Sequence, residues 1–260
     1  MLLSKSSNSS TIKTRGFLWR ALDWIYPPIC CECGRVGFEI CPKCWDSISL
    51  LSGKKTCDGC GNLLERGSAC ADCQTHPPVY DQLKSWALYE GPTRNIVKGI
   101  KFERKLGLIP YLVEPLAKAI SAWDPQVDCI IPVPLGLRRQ RERGYNQSAL
   151  IARKVAAKLG IRYSTRMLSR TRETHTQVGL SADERRQNML DAFTADPALC
   201  GGLSILLIDD IATTGATLNA CAAALRSAGA EKIFCFTVAR TNLHPISNPN
   251  LMEVSNERQS

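Results

Sequence analysis

The 260-residue sequence has no apolar run approaching the ~18 residues that a membrane-spanning helix needs. It also has no continuous apolar core behind Met1-Leu2-Leu3, where the residues are rich in Ser, Thr and Lys instead of forming a secretory signal. These two absences point to a cytoplasmic protein without a membrane span. Both common nucleotide loops are missing too. Neither Gly-x4-Gly-Lys-Ser/Thr nor Gly-x-Gly-x-x-Gly occurs, which excludes a Walker A site and a dinucleotide fingerprint. Acidic residues are outnumbered by basic ones, 24 to 33, so the formal charge is +9 and the expected ligands are anionic.

Cysteine is plentiful and unevenly spread. Of the 13, nine lie between Cys30 and Cys73, and the chain length leaves room for one medium α/β domain besides a small appendage. In a reducing compartment clustered cysteines serve as metal ligands, whereas disulfides belong to oxidising ones. Four C-x-x-C pairs stand in a row: Cys30/Cys33, Cys41/Cys44, Cys57/Cys60 and Cys70/Cys73. Each pair forms a knuckle offering two sulfurs, and tetrahedral zinc takes two knuckles, so the count implies two structural zinc ions. Sequential pairing and cross-braced pairing both satisfy the spacing. Gly34 and Gly61, each directly after the second cysteine of a pair, suit the tight turn of a knuckle. Cys31 is left over, as an unliganded neighbour or an alternative to Cys30. Eight thiolates and two Zn2+ would bring the +9 balance down to about +5, a mild excess. Cys129, Cys200, Cys221 and Cys235 sit among apolar or small residues and read as buried hydrophobes.

The stretch from Leu206 to Leu218 organises the rest. An apolar run opening with Ile205 ends in Asp209-Asp210, then Ala212-Thr213-Thr214-Gly215-Ala216-Thr217 leads into an alanine-rich helical pattern, Leu218 to Arg226. A strand apolar on both faces belongs inside a parallel sheet, where ligands sit beyond the carboxyl ends of strands. Backbone N–H groups from Ala212 to Thr217, at the start of a helix, make an anion cradle, with Gly215 allowing close approach. The two carboxylates can accept hydrogen bonds from sugar hydroxyls or hold a divalent cation. A ligand with a phosphate, a diol and a nearby metal meets all three conditions.

A second apolar strand, Asp128 to Pro134, precedes Leu135 and an arginine-rich loop with Arg138, Arg139, Arg141 and Arg143. That loop feeds a helix from Gln147 to Leu159, stopped by Gly160. Four arginines at a strand end suit a highly charged pyrophosphate, and they also read as a solvated turn. The polar stretch with Arg170, Arg172, Thr174, His175 and Gln177 has the irregular look of an active-site cover or of an ordinary surface loop. Lys98, Lys101, Arg104 and Lys105 form a basic run that reads as a solvated face or a nucleic-acid patch. A further helix is expected from Thr93 to Lys101, with Lys101 on its exposed side, another from Tyr111 to Trp123, and strands at Ser85 to Tyr89 and Lys232 to Val238.

Apolar strand, Asp-Asp and Thr-Thr-Gly-x-Thr together resemble the signature by which type I phosphoribosyltransferases bind phosphoribosyl pyrophosphate (PRPP). The four C-x-x-C pairs, Pro-Val-Pro-Leu with Arg-x-Arg-Gly-Tyr-Asn-Gln, and Arg-x-Arg-x-Thr-x-Thr-Gln-x-x-Leu followed by Arg186 and Asn188 are similar to the bacterial ComF family from about Pro27 to Thr241. The resemblance implies an α/β fold of the type I phosphoribosyltransferase kind, a mainly parallel sheet flanked by helices, behind a small amino-terminal double zinc ribbon. It assigns residues 27–78 to the ribbon and 79–241 to the transferase-like domain. Residues 1–26 are a polar tail plus a short aromatic helix, Phe17 to Tyr26, and 242–260 a polar tail.

By position, the resemblance puts Asp209 and Asp210 on the ribose hydroxyls and Ala212, Thr213, Thr214, Gly215, Ala216 and Thr217 on the 5′-phosphate. Pro134, Leu135 and the four arginines would face pyrophosphate, and Arg170 to Gln177 would cover the site. The expected reaction is Mg2+-dependent transfer of phosphoribosyl to a nitrogenous acceptor; no general base is assigned. The competing expectation is a non-catalytic PRPP- or single-stranded-DNA-binding adaptor. Competence and DNA-processing proteins are the implied partners.

Overall fold

The computed structural model describes residues 27–171 and 192–242. Within them the apolar runs become one parallel sheet. β1 (Gln82–Leu88), β2 (Cys129–Pro132), β3 (Arg162–Tyr163), β6 (Ser204–Ala212) and β7 (Lys232–Arg240) lie in the order β1-β7-β6-β2-β3. Every neighbouring pair is parallel. A separate antiparallel pair, β4 (Leu168–Arg170) and β5 (Phe193–Ala195), lies outside that sheet.

Strict alternation along the central strands explains why both faces are covered. Ile130, Leu206, Ile208, Phe236 and Val238 point one way, into a core completed by α3 (Gly91–Phe102), α4 (Ile109–Trp123) and α6 (Gln147–Leu159). Cys129, Ile131, Ile205, Leu207, Ile233 and Cys235 point the other way, against Leu168, Phe193 and the apolar face of α8 (Ala216–Ser227). Each fully buried aliphatic side chain contributes about 1.5–3 kcal/mol, so these two layers dominate the stability. Cys129, Cys200, Cys221 and Cys235 are all buried in the second layer, where burial raises each thiol.

The order of the sheet creates a crevice. From β2 the chain moves outward to β3, whereas from β6 it moves through α8 to β7 on the other side. Adjacent β2 and β6 are therefore a switch point, the place where an open α/β sheet binds ligands. β2 ends at Pro132, paired with Ile208, while β6 continues beside β7 as far as Ala212 opposite Arg240. Asp209 and Asp210 thus lie inside β6, not at its tip, at the level where β2 has already stopped.

The arginine segment is also more ordered than a loop. Leu137–Arg143 coils into α5, closed by Gly144 at φ 82°. Its residues are good helix formers, and Arg138 pairs with Glu142 at 2.9 Å, one turn on.

The cysteine-rich segment docks on the free side of β1. Trp45, in α1 (Pro42–Asp46), packs on Trp86 with ring centroids 5.6 Å apart. The Leu51 amide donates to the Trp86 carbonyl (2.9 Å), and the Leu88 amide to that of Ser49 (2.9 Å). Farther along, the Leu83 amide donates to the Gly59 carbonyl at 3.0 Å. Gly61, at φ 72°, sits so close to β1 that a Cβ there would lie 2.8 Å from the Leu83 carbonyl oxygen. Gly34 has the same left-handed backbone and open space around it. Gly61→Ala should therefore lower stability by about 1–3 kcal/mol more than Gly34→Ala. Urea unfolding of the zinc-loaded variants measures this, and equal losses would mean that the ribbon does not press on β1.

Candidate functional site

The acidic pair is surrounded by side chains from two helices. Asp210 is buried, with 4% exposure, and its Oδ2 takes a hydrogen-bonded ion pair from Lys101 Nζ at 2.9 Å and a second bond from Gln147 Nε2 at 3.2 Å. Asp209 is half-buried, and its Oδ1 accepts from Ser148 Oγ at 2.8 Å and from the Asp210 amide at 2.9 Å. Burial, then the neighbouring Asp210 charge, pushes the Asp209 carboxyl up to about 7, against the opposing pull of Ser148, the Asp210 amide and Lys101.

Gln147 and Ser148 are delivered by the first turn of α6. Asn146 fixes that turn by accepting from the Ser148 and Ala149 amides at 3.0 and 3.3 Å, while its own amide nitrogen donates to the Val133 carbonyl at the end of β2. Lys101 comes from the last turn of α3. Helical periodicity predicts an exposed Lys101, but only 20% of its side chain is exposed and the ammonium faces Asp210. Tyr145 Oη donates to the Ile100 carbonyl, and the Arg143 guanidinium lies 5.0 Å from the Phe102 ring centroid, so α3 is clamped to the α5–α6 junction. Lys101, Gln147 and Ser148 went unassigned in the sequence because their contacts are with residues far along the chain; the only local signal was the Asn146 cap.

The loop after β6 is arranged as a cradle. Gly215 takes φ 79° and caps α8, Thr214 Oγ1 accepts from the Ala216 amide at 3.3 Å, and Thr213, Thr214 and Ala216 are exposed. The first amides of an α-helix lack intrahelical acceptors and carry the positive end of its dipole, so this opening can take an anion. A Cβ at Gly215 would stand 3.1 Å from the buried Tyr80 hydroxyl, so the glycine lets the loop lie close to that ring. Across the crevice, Pro134 and Leu135 follow β2, half-buried, while Arg138, Arg139 and Arg141 are exposed on α5. Arg143 is half-buried; burial works against its charge, and the Asp210 carboxylate is the first of the charges that favour it. Arg170 ends β4, 5.3 Å from the Phe193 ring. Arg172, Thr174, His175 and Gln177 lie outside the described residues.

The eight paired cysteines form two clusters, Cys30/Cys33/Cys41/Cys44 and Cys57/Cys60/Cys70/Cys73, with the four sulfurs of each within 4.8 Å of one another. Pairing is thus sequential, the alternative that spacing alone left open. Both clusters repeat one design. The Gly34 and Gly61 amides close the knuckles on the Cys30 and Cys57 carbonyls, and the Cys41 and Cys70 amides donate to the Cys30 and Cys57 sulfurs at 3.3 Å. Burial opposes the charged Cys57, yet the amides of Cys60 and Cys70 outweigh it and bring the thiol down to about 7. In each cluster four thiols converge, Cys30 and Cys41 in the first and Cys57 in the second being drawn toward thiolate, an arrangement that fits tetrahedral zinc and leaves no ligand position for water. Cys31 stands outside both clusters, raised to about 11 chiefly by burial.

Two domain families match the chain. The double zinc ribbon domain family matches residues 21–74, and the phosphoribosyl transferase domain family matches residues 145–248. The chain therefore joins a double zinc ribbon to a type I phosphoribosyltransferase-like α/β fold. It is 33% identical over 210 residues to competence protein F of Haemophilus influenzae, covering 77% of this chain and 90% of that one. With the DNA utilization protein YhgH of Salmonella typhi it shares 30% identity over 223 residues, 84% of this chain and 91% of the relative. The chain belongs to the ComF family, whose members also include competence protein ComFC of Bacillus subtilis, at 25% identity. Among solved structures, adenine phosphoribosyltransferase from Saccharomyces cerevisiae is similar at 15% identity over 54% of this chain and 71% of that one, with a TM-score of only 0.36. No described helix is long and apolar enough to cross a membrane.

The raised Asp209 carboxyl makes stability depend on pH with a definite sign. Its folded value, about 7, exceeds the ordinary 3.8, so its contribution is fully present below 3.8 and is lost as pH rises through 7. Asp209→Asn should stabilise the protein by about 2–4 kcal/mol at pH 8, with the gain shrinking steadily toward pH 5. Paired unfolding curves at the two pH values measure it. A gain independent of pH would mean that Asp209 is not held out of water.

Proposed function

We propose that the chain binds PRPP with Mg2+ and transfers its phosphoribosyl group to a nitrogenous acceptor. The observation that carries this reading is the juxtaposition of an acidic pair, one member buried and one half-buried, with an anion cradle at the β2–β6 switch point. Asp209 and Asp210 would accept hydrogen bonds from the ribose diol, with Ser148 and Gln147 setting the carboxylate orientations. Ala212 to Thr217 would hold the 5′-phosphate through amides and hydroxyls. Pro134 to Arg143 would face the pyrophosphate, and Lys101, already paired with Asp210, would add a cation on the same side. Arg170, Arg172, Thr174, His175 and Gln177 would cover the ligand. The oxygen donors of the pair suit a hard cation, and Mg2+ supplies charge neutralisation for the leaving pyrophosphate. The departing bond leaves an oxocarbenium-like ribose, so what the chain contributes is electrostatic stabilisation and exclusion of water.

The second reading is a PRPP- or single-stranded-DNA-binding adaptor without turnover, acting with competence or DNA-processing proteins in the cytoplasm. The relatives named for competence and DNA utilization favour it, and so do the exposed Arg139 and Arg141 on α5. In both readings residues 27–78 form the zinc-bearing ribbon and 79–241 the ligand-binding unit. Calorimetric titration with Mg2+ and PRPP, followed by a pyrophosphate-release assay across nucleobases, separates them. Release with one base supports the transferase, and binding without release supports the adaptor. Asp209→Ala with Asp210→Ala should abolish PRPP binding while two zinc ions per chain remain by metal analysis; undiminished binding would remove the ribose role.

A further inference from the structure

Arg240 is a charged side chain buried where nothing in the PRPP reading uses it. It ends β7, is 1% exposed, and ranks among the largest side chains that the protein buries completely. Its Nε donates to Asn62 Oδ1 at 2.9 Å, but Nη1 finds no acceptor, and no carboxylate pairs with the guanidinium among the described residues. A cation withdrawn from water in this way is unstable unless an anion lies close by. Asn62 ties the guanidinium to the second cysteine cluster. It lies two residues after Cys60; its carbonyl accepts from the Cys57 amide at 2.7 Å, and its side chain, 3% exposed with the rest of the residue, holds Arg240. Four thiolates around Zn2+ carry a net charge of minus two, and the second cysteine cluster would place that charge beside the guanidinium.

We propose that Arg240 is the buried counter-cation of the second cysteine cluster, Cys57/Cys60/Cys70/Cys73, and that zinc in this cluster is held by an ion pair with the sheet as well as by its own thiolates. The first cluster is built differently, its cysteines sharing the large apolar core with α3 and α4. The link also reaches the anion cradle, since Arg240 pairs with Ala212 across the sheet and the Thr241 amide donates to the Ala212 carbonyl at 3.0 Å.

The test uses the full-length, zinc-loaded protein treated with EDTA and iodoacetamide, with peptide mass spectrometry timing the alkylation of each cysteine. Arg240→Met removes the charge; Arg240→Gln removes it but keeps a donor for Asn62; Arg240→Lys keeps it. In both neutral variants Cys57, Cys60, Cys70 and Cys73 should react about tenfold faster, the size of effect expected for an outer partner of a metal site. Cys30, Cys33, Cys41 and Cys44 should keep their wild-type rates, and Arg240→Lys should stay near wild type. Unchanged rates at the second cluster in either neutral variant would overturn the proposal. So would equal acceleration in Arg240→Lys, or a general acceleration that includes the sheet cysteines Cys129 and Cys235, since the side chain would then serve packing and not the metal.

Discussion

Two adjacent carboxylates in the middle of a parallel sheet cannot both be charged unless donors reach them, and this constraint shapes the crevice. The donors come from α3 and α6, through Lys101, Gln147 and Ser148. To deliver them, the start of α6 must lie against the end of β2, which Asn146 secures through the Val133 carbonyl, and the end of α3 must be tied to that start, as Tyr145 and Arg143 do. Even so, Asp209 retains a raised carboxyl. The site thus holds unrelieved negative character beside an amide-lined loop, a pairing that suits a ligand carrying both a diol and a phosphate.

Much of this was legible in the chain itself. Strand, acidic pair, Gly-containing turn and alanine-rich helix could be read between Ile205 and Arg226 because apolar periodicity and a left-handed glycine are local signals. The cysteine pairs were legible for a similar reason, since thiolate chemistry depends on spacing. Long-range contacts were not. Helical periodicity alone puts Lys101 beside Arg94 and Lys98 on a polar face, and only the packing of α3 against the sheet turns it toward Asp210. Gln147 and Ser148 read as an ordinary helix start, and Arg240 as an ordinary strand end. Which knuckle shares a metal with which could not come from two near-identical spacings either, because both pairings satisfy tetrahedral geometry.

The two ribbons repeat one local design but relate to the body of the protein in different ways. The first merges its cysteines, with Ile40 and Trp45, into the apolar layer over α3 and α4. The second keeps a small cluster of its own with Leu64 and Ala69, and touches the sheet through backbone and polar groups at Gly59, Gly61 and Asn62. Hydrophobic burial anchors one of them and electrostatics the other, so salt and temperature should act on them unequally.

The outer side of β1 has a consequence for solubility. Ser49, Leu51 and Gly59 meet backbone groups of Leu88, Trp86 and Leu83 that would otherwise form a bare strand edge. An exposed edge is a template for another strand, so a chain deprived of its metals would offer β1 to a second copy of itself. Scarcity of zinc would then deplete the protein by precipitation rather than leave an inert monomer behind.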